Sequence, residues 1–321
     1  MANLETVLVT GGAGFIGSYV VDRLLKDGKR VLVLDHTGHQ ELMFEKDNVT
    51  LFLGDMRDET TVFEAVSHAD AFIHLAGVLG TQETIAKPTP AIMTNITGGL
   101  NILEAAARYG VPGVNIAVGN HWENNPYSIS KSTVERLVRM FNDYRHTNVS
   151  IVRALNAYGP RQSVAAPYGP SKVRKIMPSF VMRALHGDDI EIYGDGNQIM
   201  DMIYVADVAD MLVDALYHTN ERGHFEGVIE AGTGADTTVN DIAEAVLSNV
   251  RAQGIPTNSK ITHIPLRAGE TPGAVVKADV STQEQLYPEG KSLTTLGIGV
   301  GRTVAYYREQ LNKQHQPSLF I

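Results

Sequence analysis

The chain has 321 residues, a hydrophobic content of 43%, no cysteine and a net charge of −9 at pH 7. This length accommodates one large domain or a large and a small one, and the lack of cysteine excludes disulfides and thiolate metal sites. The acidic balance argues against nucleic acid as a partner, and no apolar run approaches the roughly 18 residues that would cross a membrane. Because the first strand begins near Thr6, no room is left for a signal peptide, and we expect a cytoplasmic protein.

A glycine-rich turn follows the first predicted strand, residues 7–10. The sequence continues as Gly11-Gly12-Ala13-Gly14-Phe15-Ile16-Gly17 and then becomes an amphipathic helix. Glycines at these spacings let the backbone approach a pyrophosphate, and the helix N-terminus offers N–H groups to the phosphates. The second strand, residues 30–34, ends in Asp35, which can accept hydrogen bonds from the adenosine ribose and would repel a 2′-phosphate. The pattern predicts a Rossmann-type βαβ unit that binds NAD.

The alternation of strands and helices continues along the chain. Further strands are predicted at 49–53, 71–75, 114–118 and 151–155, and long helices at about 90–109 and 126–144. Asp55, after the third strand, can meet the adenine amino group or cap the helix that starts near Glu59. His74 has no second residue at metal-ligand spacing, which favours a packed strand residue over a ligand. Helices are also predicted at 207–217, 239–250 and 302–311.

The helix that begins near Pro126 carries two reactive side chains on its apolar face. Tyr127 and Lys131 are one helical repeat apart and in line with Val134 and Val138. A nearby ammonium and a cationic oxidised nicotinamide both favour phenolate, so the pKa of Tyr127 is expected to fall from ~10 toward neutral pH. The pair is therefore predicted to act as an acid/base beside the nicotinamide, with Lys131 also holding the nicotinamide ribose.

These motifs resemble the extended short-chain dehydrogenase/reductase family, and most closely its nucleotide-sugar epimerases and dehydratases. The resemblance covers nearly the whole chain and includes residues 74–77, 126–131, 153–162, 192–196 and 267–270. It implies an α/β fold: a doubly wound parallel Rossmann sheet over residues 1–155 and a smaller substrate lobe over residues 156–321, with elements that can interleave. It also implies NAD as cofactor, a nucleotide-sugar substrate and a homodimer built from the two long helices. The helices at 207–217, 239–250 and 302–311 are then expected to cover the nucleotide end of the substrate.

The resemblance also implies individual contacts. Those to NAD are expected from Gly11, Gly14, Phe15, Ile16, Gly17, Asp35, His36, Asp55, Met56, Leu75, Ala76, Gly77, Asn95, Tyr127 and Lys131. Those to the substrate are expected from Leu79, Gly80, Thr81, Asn156, Arg174, Lys175, Ile176, Arg267 and Glu270, with Asn156 and Arg267 on the diphosphate.

A basic stretch follows the sixth strand. Its cations are Arg161, Lys172, Arg174 and Lys175, to which Arg153 and Arg267 add. In an acidic protein such a concentration predicts the local pocket that a diphosphate needs, although a solvated basic loop would look similar. The methionines Met200, Met202 and Met211 are more typical of core.

The end of the fifth strand departs from the family pattern. Relatives carry a Ser/Thr pair there, whereas this chain has Ala117-Val118-Gly119-Asn120-His121-Trp122-Glu123 without a hydroxyl. We expect the amide of Asn120 or the imidazole of His121 to orient the reacting hydroxyl instead. Alternatively, Asn120 only turns the chain and His121 packs with Trp122. Met200 stands where the family has an arginine, which removes one phosphate contact.

The predicted reaction is epimerisation through a transient keto-sugar, with Tyr127 as the acid/base. A dehydratase would need a further acid/base, for which Glu123 or His121 is available, and decarboxylation of a uronic acid is a third possibility. A non-catalytic NAD-sensing protein is conceivable because the hydroxyl pair is missing. Retention of both Tyr127 and Lys131 argues against it.

Overall fold

The structure is a computed structural model that describes residues 4–36, 46–266 and 271–314. The strands are β1 Thr6–Thr10, β2 Arg30–Asp35, β3 Val49–Leu53, β4 Ala71–His74, β5 Gly113–Val118, β6 Val149–Ala154, β7 Asn156–Tyr158, β8 Ile190–Tyr193, β9 Ile199–Met200, β10 Met202–Tyr204, β11 Ile229–Ala231, β12 Ile261–Ile264 and β13 Val275–Val276. The helices are α1 Phe15–Lys26, α2 Glu59–Ser67, α3 Thr81–Ala86, α4 Pro88–Ile92, α5 Gly98–Tyr109, α6 Pro126–Arg145, α7 Ile176–His186, α8 Val205–Arg222, α9 Val239–Ala252 and α10 Leu296–Gln314. A π-helical segment, Met93–Thr97, joins α4 to α5, and a 3₁₀ helix, Val280–Gln285, precedes α10.

A seven-stranded parallel sheet forms the centre of the fold. Its strand order is β11-β6-β5-β4-β1-β2-β3, which confirms the doubly wound Rossmann arrangement. The strands are apolar because helices cover both faces of such a sheet. The seventh strand, β11, comes from the second half of the chain and was not predicted. The strand order reverses beside β1, which places the ligand crevice at the carboxyl ends of β1 and β4.

Helices lie on both faces of the sheet. On one face α1 and α8 pack through residues such as Leu24 and Leu212. On the other face α2, α5 and α6 pack through residues such as Ile102 and Val138. The expectation that the helix at 207–217 covers the nucleotide end is therefore wrong, because the apolar stripe of α8 is buried against α1 and the sheet.

The smaller lobe has its own apolar core. Helices α7, α9 and α10 meet around Phe180, Val246 and Val304, against the strands β8 and β10. The helices predicted at 239–250 and 302–311 are present, and the second begins earlier, at Leu296. Met202 and Met211 are buried as predicted.

The helix predicted at about 90–109 begins at Pro88, where a proline fits the first turn, and contains the π-helical segment. Within the described ranges, the structure has no helix that combines the length and apolar character of a membrane span.

Candidate active site

A cleft of about 630 Å³ lies at the carboxyl edge of the sheet. The glycine-rich turn, the ends of β2, β4, β5 and β6, and the starts of α6 and α7 all contribute to its walls. The volume lies in the range of small-molecule sites, roughly 300–1,000 Å³. The position is where open parallel sheets bind ligands.

The glycine-rich turn offers main chain rather than side chains to the cleft. Gly11 has a φ of +70°, in the left-handed region that favours glycine. A Cβ on Gly17 would lie 2.1 Å from the carbonyl oxygen of Gly11, so α1 can approach the turn only without a side chain at this position. Gly14, the N-cap of α1, has no side chain to cap the first-turn N–H groups. This cradle fits a pyrophosphate.

Asp35 and His36 lie at the end of β2 and line the cleft, as predicted for the ribose side. Asp35 accepts a hydrogen bond from the Ala13 N–H at 3.2 Å, which joins the carboxylate to the glycine-rich turn. The carboxylate therefore lies beside the residues that would hold the phosphates.

Asp55 and Met56 lie outside the lining of the cleft. The Arg57 guanidinium hydrogen-bonds the Asp55 carboxylate and holds its pKa below the usual range. Met56 is buried under α5. The alternative role of Asp55 as a helix cap is wrong, since Asp58 accepts the hydrogen bond from Thr60 N at the start of α2. Contact of Asp55 or Met56 with the adenine stays a prediction.

His74 is a packed strand residue, as predicted, and hydrogen-bonds Thr10 Oγ1 at 2.7 Å. Thr10 Oγ1 also accepts from the N–H groups of Leu75 and Ala76, which leaves its own hydrogen for His74 Nδ1. Burial, together with the charge of Lys131, lowers the pKa of His74 to about 3. The imidazole is therefore neutral, and Thr10 fixes the backbone where Leu75 and Ala76 line the cleft.

The first two turns of α6 bring Tyr127 and Lys131 to the cleft wall. Asn125 caps the helix by accepting from Ser128 N at 2.9 Å, and Pro126 occupies the first turn. Lys131 is only 4% exposed, and burial lowers its pKa to about 8. Burial also raises the pKa of Tyr127 to about 12. The decrease expected beside the oxidised nicotinamide stays a prediction.

Asn95 is committed to the protein rather than to the cleft. Its Oδ1 accepts from Val78 N at 2.7 Å, and its Nδ2 donates to Val78 O at 3.2 Å and to Ser130 Oγ at 2.9 Å. These bonds join the loop after β4 to the helix that carries Lys131. Contact of Asn95 with NAD stays a prediction.

In the loop after β5, only one of the two residues proposed to replace the missing hydroxyl lines the cleft. Asn120 and Glu123 line the cleft, whereas His121 lies outside its lining and contacts the Gly119 carbonyl through Nδ1 at 3.2 Å. Glu123 Oε2 accepts from Asn120 Nδ2 at 2.7 Å and from Asn125 Nδ2 at 2.9 Å. The loop therefore presents an amide whose orientation is fixed by a carboxylate and by the cap of α6.

Leu155 accounts sterically for the absent hydroxyl at one position of this loop. A Cβ on Gly119 would lie 2.3 Å from Leu155 Cδ1. A serine or threonine at 119 would therefore need the Leu155 side chain to move.

Most of the predicted substrate contacts line the cleft, and they come from the segment after β4 as well as from the smaller lobe. Leu79, Gly80, Thr81, Asn156, Arg174, Lys175 and Ile176 all line it. Arg174 donates to the Tyr193 hydroxyl at 2.7 Å and pairs with Glu191 at 3.3 Å. Burial lowers the pKa of Lys175, and the nearby Glu83 opposes that decrease. The calls on Arg267 and Glu270 lie outside the described residues.

Comparison with known proteins decides the family. The model of the NAD dependent epimerase/dehydratase family matches residues 7–232. The chain belongs to this family. The resemblance to the extended short-chain dehydrogenases/reductases is thereby confirmed, and NAD is the cofactor that the glycine-rich turn fits.

Epimerases and decarboxylases are among the similar proteins. The chain is 30% identical over 269 residues to a putative UDP-glucose 4-epimerase of Methanocaldococcus jannaschii, with 77% of this chain and 83% of the relative covered. It is 29% identical over 282 residues to a UDP-N-acetyl-alpha-D-glucosaminuronate decarboxylase of Bacillus cytotoxicus, with 80% and 83% covered. The crystal structure of UDP-glucose 4-epimerase from Thermotoga maritima with UDP-glucose matches at a TM-score of 0.82 and 29% identity, with 95% and 99% covered.

Three cations of the predicted basic cluster do not line the cleft in this member of the epimerase/dehydratase family. Arg153 is paired with Glu135 and Glu230 under α6, and Arg161 is paired with Asp22 on α1. Lys172 is exposed and outside the lining. The prediction that all these cations form one diphosphate pocket is therefore wrong. Two of them are paired with carboxylates that are distant in the sequence.

Residues 82 and 83 line the cleft and were missed. Their signal was position, since Gln82 and Glu83 follow Thr81 directly on α3.

Proposed function

We propose that the protein is an NAD-dependent nucleotide-sugar epimerase that acts through a transient keto-sugar. The supporting observation is that Tyr127 and Lys131 share one cleft with the glycine-rich turn and with Asn156 and Lys175 of the substrate lobe. When bound, NAD would supply the acceptor and donor of a hydride at a sugar carbon. Proton transfer, orientation of the sugar and binding of the diphosphate are carried out by side chains of the protein.

Tyr127 Oη removes the proton of the reacting sugar hydroxyl and later returns it. The high pKa of Tyr127 in the chain alone means that the positive charges of the loaded site must favour the phenolate. Lys131 supplies one of these charges and holds the nicotinamide ribose. Asn120 orients the sugar hydroxyl, and Glu123 fixes the amide of Asn120. Asn156 and Lys175 hold the diphosphate.

The distribution of charge favours a neutral sugar over a uronic acid. Among the described residues, the Lys and Arg side chains that line the cleft are Lys131, Arg174 and Lys175. Arg174 already pairs with Glu191, and Lys131 lies beside Tyr127 on α6. Lys175 is then needed for the diphosphate, while Glu83 and Glu123 add negative charge near the sugar. A sugar carboxylate would meet repulsion there.

A dehydratase is the second candidate, and Glu123 is the observation that favours it. This carboxylate lines the cleft near the start of α6 and could exchange a proton at a second sugar carbon. Epimerisation and dehydration differ in their products, since only the second loses water.

Incubation of the purified protein with UDP- and dTDP-linked hexoses, followed by NMR of the products, tests the proposal. We expect a sugar inverted at one carbon, with no net change in NAD. A deoxy-keto-sugar would replace the epimerase by the dehydratase. A pentose product with release of CO2 would identify a decarboxylase, and binding of every sugar without conversion would support the NAD-sensing alternative.

We also propose a homodimer through α5 and α6. Ile129 and Met140 lie on one exposed stripe of α6, and Met93 and Leu100 lie on the exposed side of the neighbouring helix. Exposed apolar stripes on two adjacent helices are typical of subunit contacts. Sedimentation equilibrium should give the mass of two chains, and the mass of one chain would contradict the proposal.

A further inference from the structure

Glu135 is a buried carboxylate on the helix that carries Tyr127 and Lys131. It is only 3% exposed and lies one helical repeat beyond Lys131. Side chains at this spacing are neighbours on a helix, and an ammonium and a carboxylate there attract each other. Yet no ion pair joins Glu135 to Lys131, nor does any other carboxylate of the described ranges pair with Lys131.

Arg153 of β6 occupies both oxygens of Glu135. Its Nε donates to Oε2 at 2.9 Å, and its Nη2 donates to Oε1 at 2.7 Å. Its Nη1 donates to Glu230 Oε1 of β11 at 3.0 Å, so the guanidinium is held from two sides. Such a two-pronged pair fixes the direction of both partners. The carboxylate of Glu135 is therefore turned toward the sheet.

Few other charges face this part of α6. On α6 itself, Arg139 donates to Glu135 Oε1 at 2.7 Å from the solvent side, and Tyr127 is the other titratable neighbour of Lys131. From β4 comes the neutral His74, and Glu83 comes from α3. On α5, Glu104 pairs with Arg145 near the far end of α6. Strand β5, helix α4 and the π-helical segment carry no ionisable side chain.

We propose that Arg153 is a positioning residue that holds Glu135 away from Lys131 and so leaves the ammonium free for the nicotinamide ribose and Tyr127. The lowered pKa of Lys131, which burial brings to about 8, is consistent with an ammonium that lacks a carboxylate partner. The proposal depends on NAD binding, which family membership supports, and not on the epimerase reaction.

A charge cycle on Arg153 and Glu135, with NAD affinity measured by calorimetry from pH 6.5 to 9.5, tests this role. In the wild type, affinity should fall as pH rises through about 8, because Lys131 loses its proton, and Lys131→Met should abolish this fall. Arg153→Met should move the midpoint upward by about one pH unit, since the released Glu135 favours the ammonium. Glu135→Gln should move the midpoint downward, because the Arg153 guanidinium then lacks the Glu135 carboxylate.

The double variant Glu135→Gln with Arg153→Met should return the midpoint to that of the wild type. Arg139→Met is the matched control, because it removes a cation from the same carboxylate while Arg153 still holds both oxygens. Its midpoint should not move. If circular dichroism shows that Arg153→Met is unfolded, Glu135→Gln and the double variant still decide, since neither leaves the Glu135 carboxylate buried without its cation.

Opposite shifts that cancel in the double variant cannot come from a role in folding alone. Shifts of one sign, unchanged midpoints in folded variants, or a fall in affinity that persists in Lys131→Met would each overturn the proposal. Conversion of nucleotide sugars does not enter the measurement, so its failure and that of the proposed reaction can be told apart.

Discussion

At the glycine-rich turn the protein offers its cofactor main chain, whereas at the start of α6 it offers side chains that other elements hold in place. Gly11 and Gly17 act by what they lack, because a Cβ on either would strike the neighbouring backbone. Tyr127 and Lys131 act through the phenol and the ammonium of their side chains. Their surroundings come from Asn125, from the Asn95 link to Ser130 and from the Arg153 pair with Glu135.

The two halves of the cleft should therefore respond differently to mutation. The glycine half is encoded in a few consecutive residues, so one added methyl group can spoil it. The side-chain half depends on residues far apart in sequence, so changes around it should act on protonation and orientation, and on cofactor affinity only through the charge of Lys131. The predictions below separate these two behaviours.

The largest effect is expected at the phenol of Tyr127. Tyr127→Phe should lower turnover of a nucleotide sugar by about a hundredfold or more, the usual range for a positioned proton-transfer group, and leave NAD affinity near that of the wild type. Steady-state kinetics and calorimetry measure the two quantities. Tyr144→Phe is the same substitution on the same helix, at a side chain 77% exposed, and should change neither.

Loss of NAD affinity in Tyr127→Phe would contradict this prediction, because the phenol, and not only Lys131 in the side-chain half, would then hold the cofactor. Turnover close to that of the wild type would remove Tyr127 from the mechanism.

A smaller effect is expected from a methyl group at Gly17. Gly17→Ala should weaken NAD binding by about tenfold to a hundredfold, because its Cβ forces α1 away from the turn and such overpacking costs roughly 1–3 kcal/mol. Calorimetry at constant pH measures it. Gly297→Ala adds the same methyl group where no atom lies within 4 Å and should leave the affinity unchanged.

Equal affinities in Gly17→Ala and Gly297→Ala would contradict the backbone cradle. Equal losses in both would mean that general destabilisation, and not the turn, weakens binding.

The smallest effect is expected in the loop after β5. Asn120→Ala should slow cofactor reduction by a substrate sugar by about tenfold, whereas His121→Ala should leave it near the wild type, because only Asn120 lines the cleft. Stopped-flow absorbance of the reduced cofactor measures both. A loss in His121→Ala alone would reverse the assignment, and unchanged rates in both would mean that the loop has no part in orienting the sugar.

Glu123→Gln sharpens the same comparison. If it keeps cofactor reduction but loses the final product, Glu123 acts at a second carbon and the dehydratase replaces the epimerase. If the epimer still forms, the carboxylate serves only to hold Asn120.

The sequence by itself determined the parts whose physics is local. The strands β1 to β6, the glycine-rich turn, Asp35 at the end of β2, and Tyr127 with Lys131 on one face of α6 follow from periodicity and from spacings of a few residues. Each of these features depends on neighbours in the chain, and the structure contains each of them near its predicted position. The family follows from the same motifs.

Only the tertiary structure decided which partner each polar group takes. Asn95 binds Val78 and Ser130, Arg161 binds Asp22, and Arg153 binds Glu135 and Glu230, although all of them had been expected at ligands. The choice between Asn120 and His121, the addition of β11 to the sheet and the direction of the Tyr127 pKa have the same origin. Burial and long-range pairing set them, because the energy of a charge or an amide depends on what surrounds it in space and not on its neighbours in sequence.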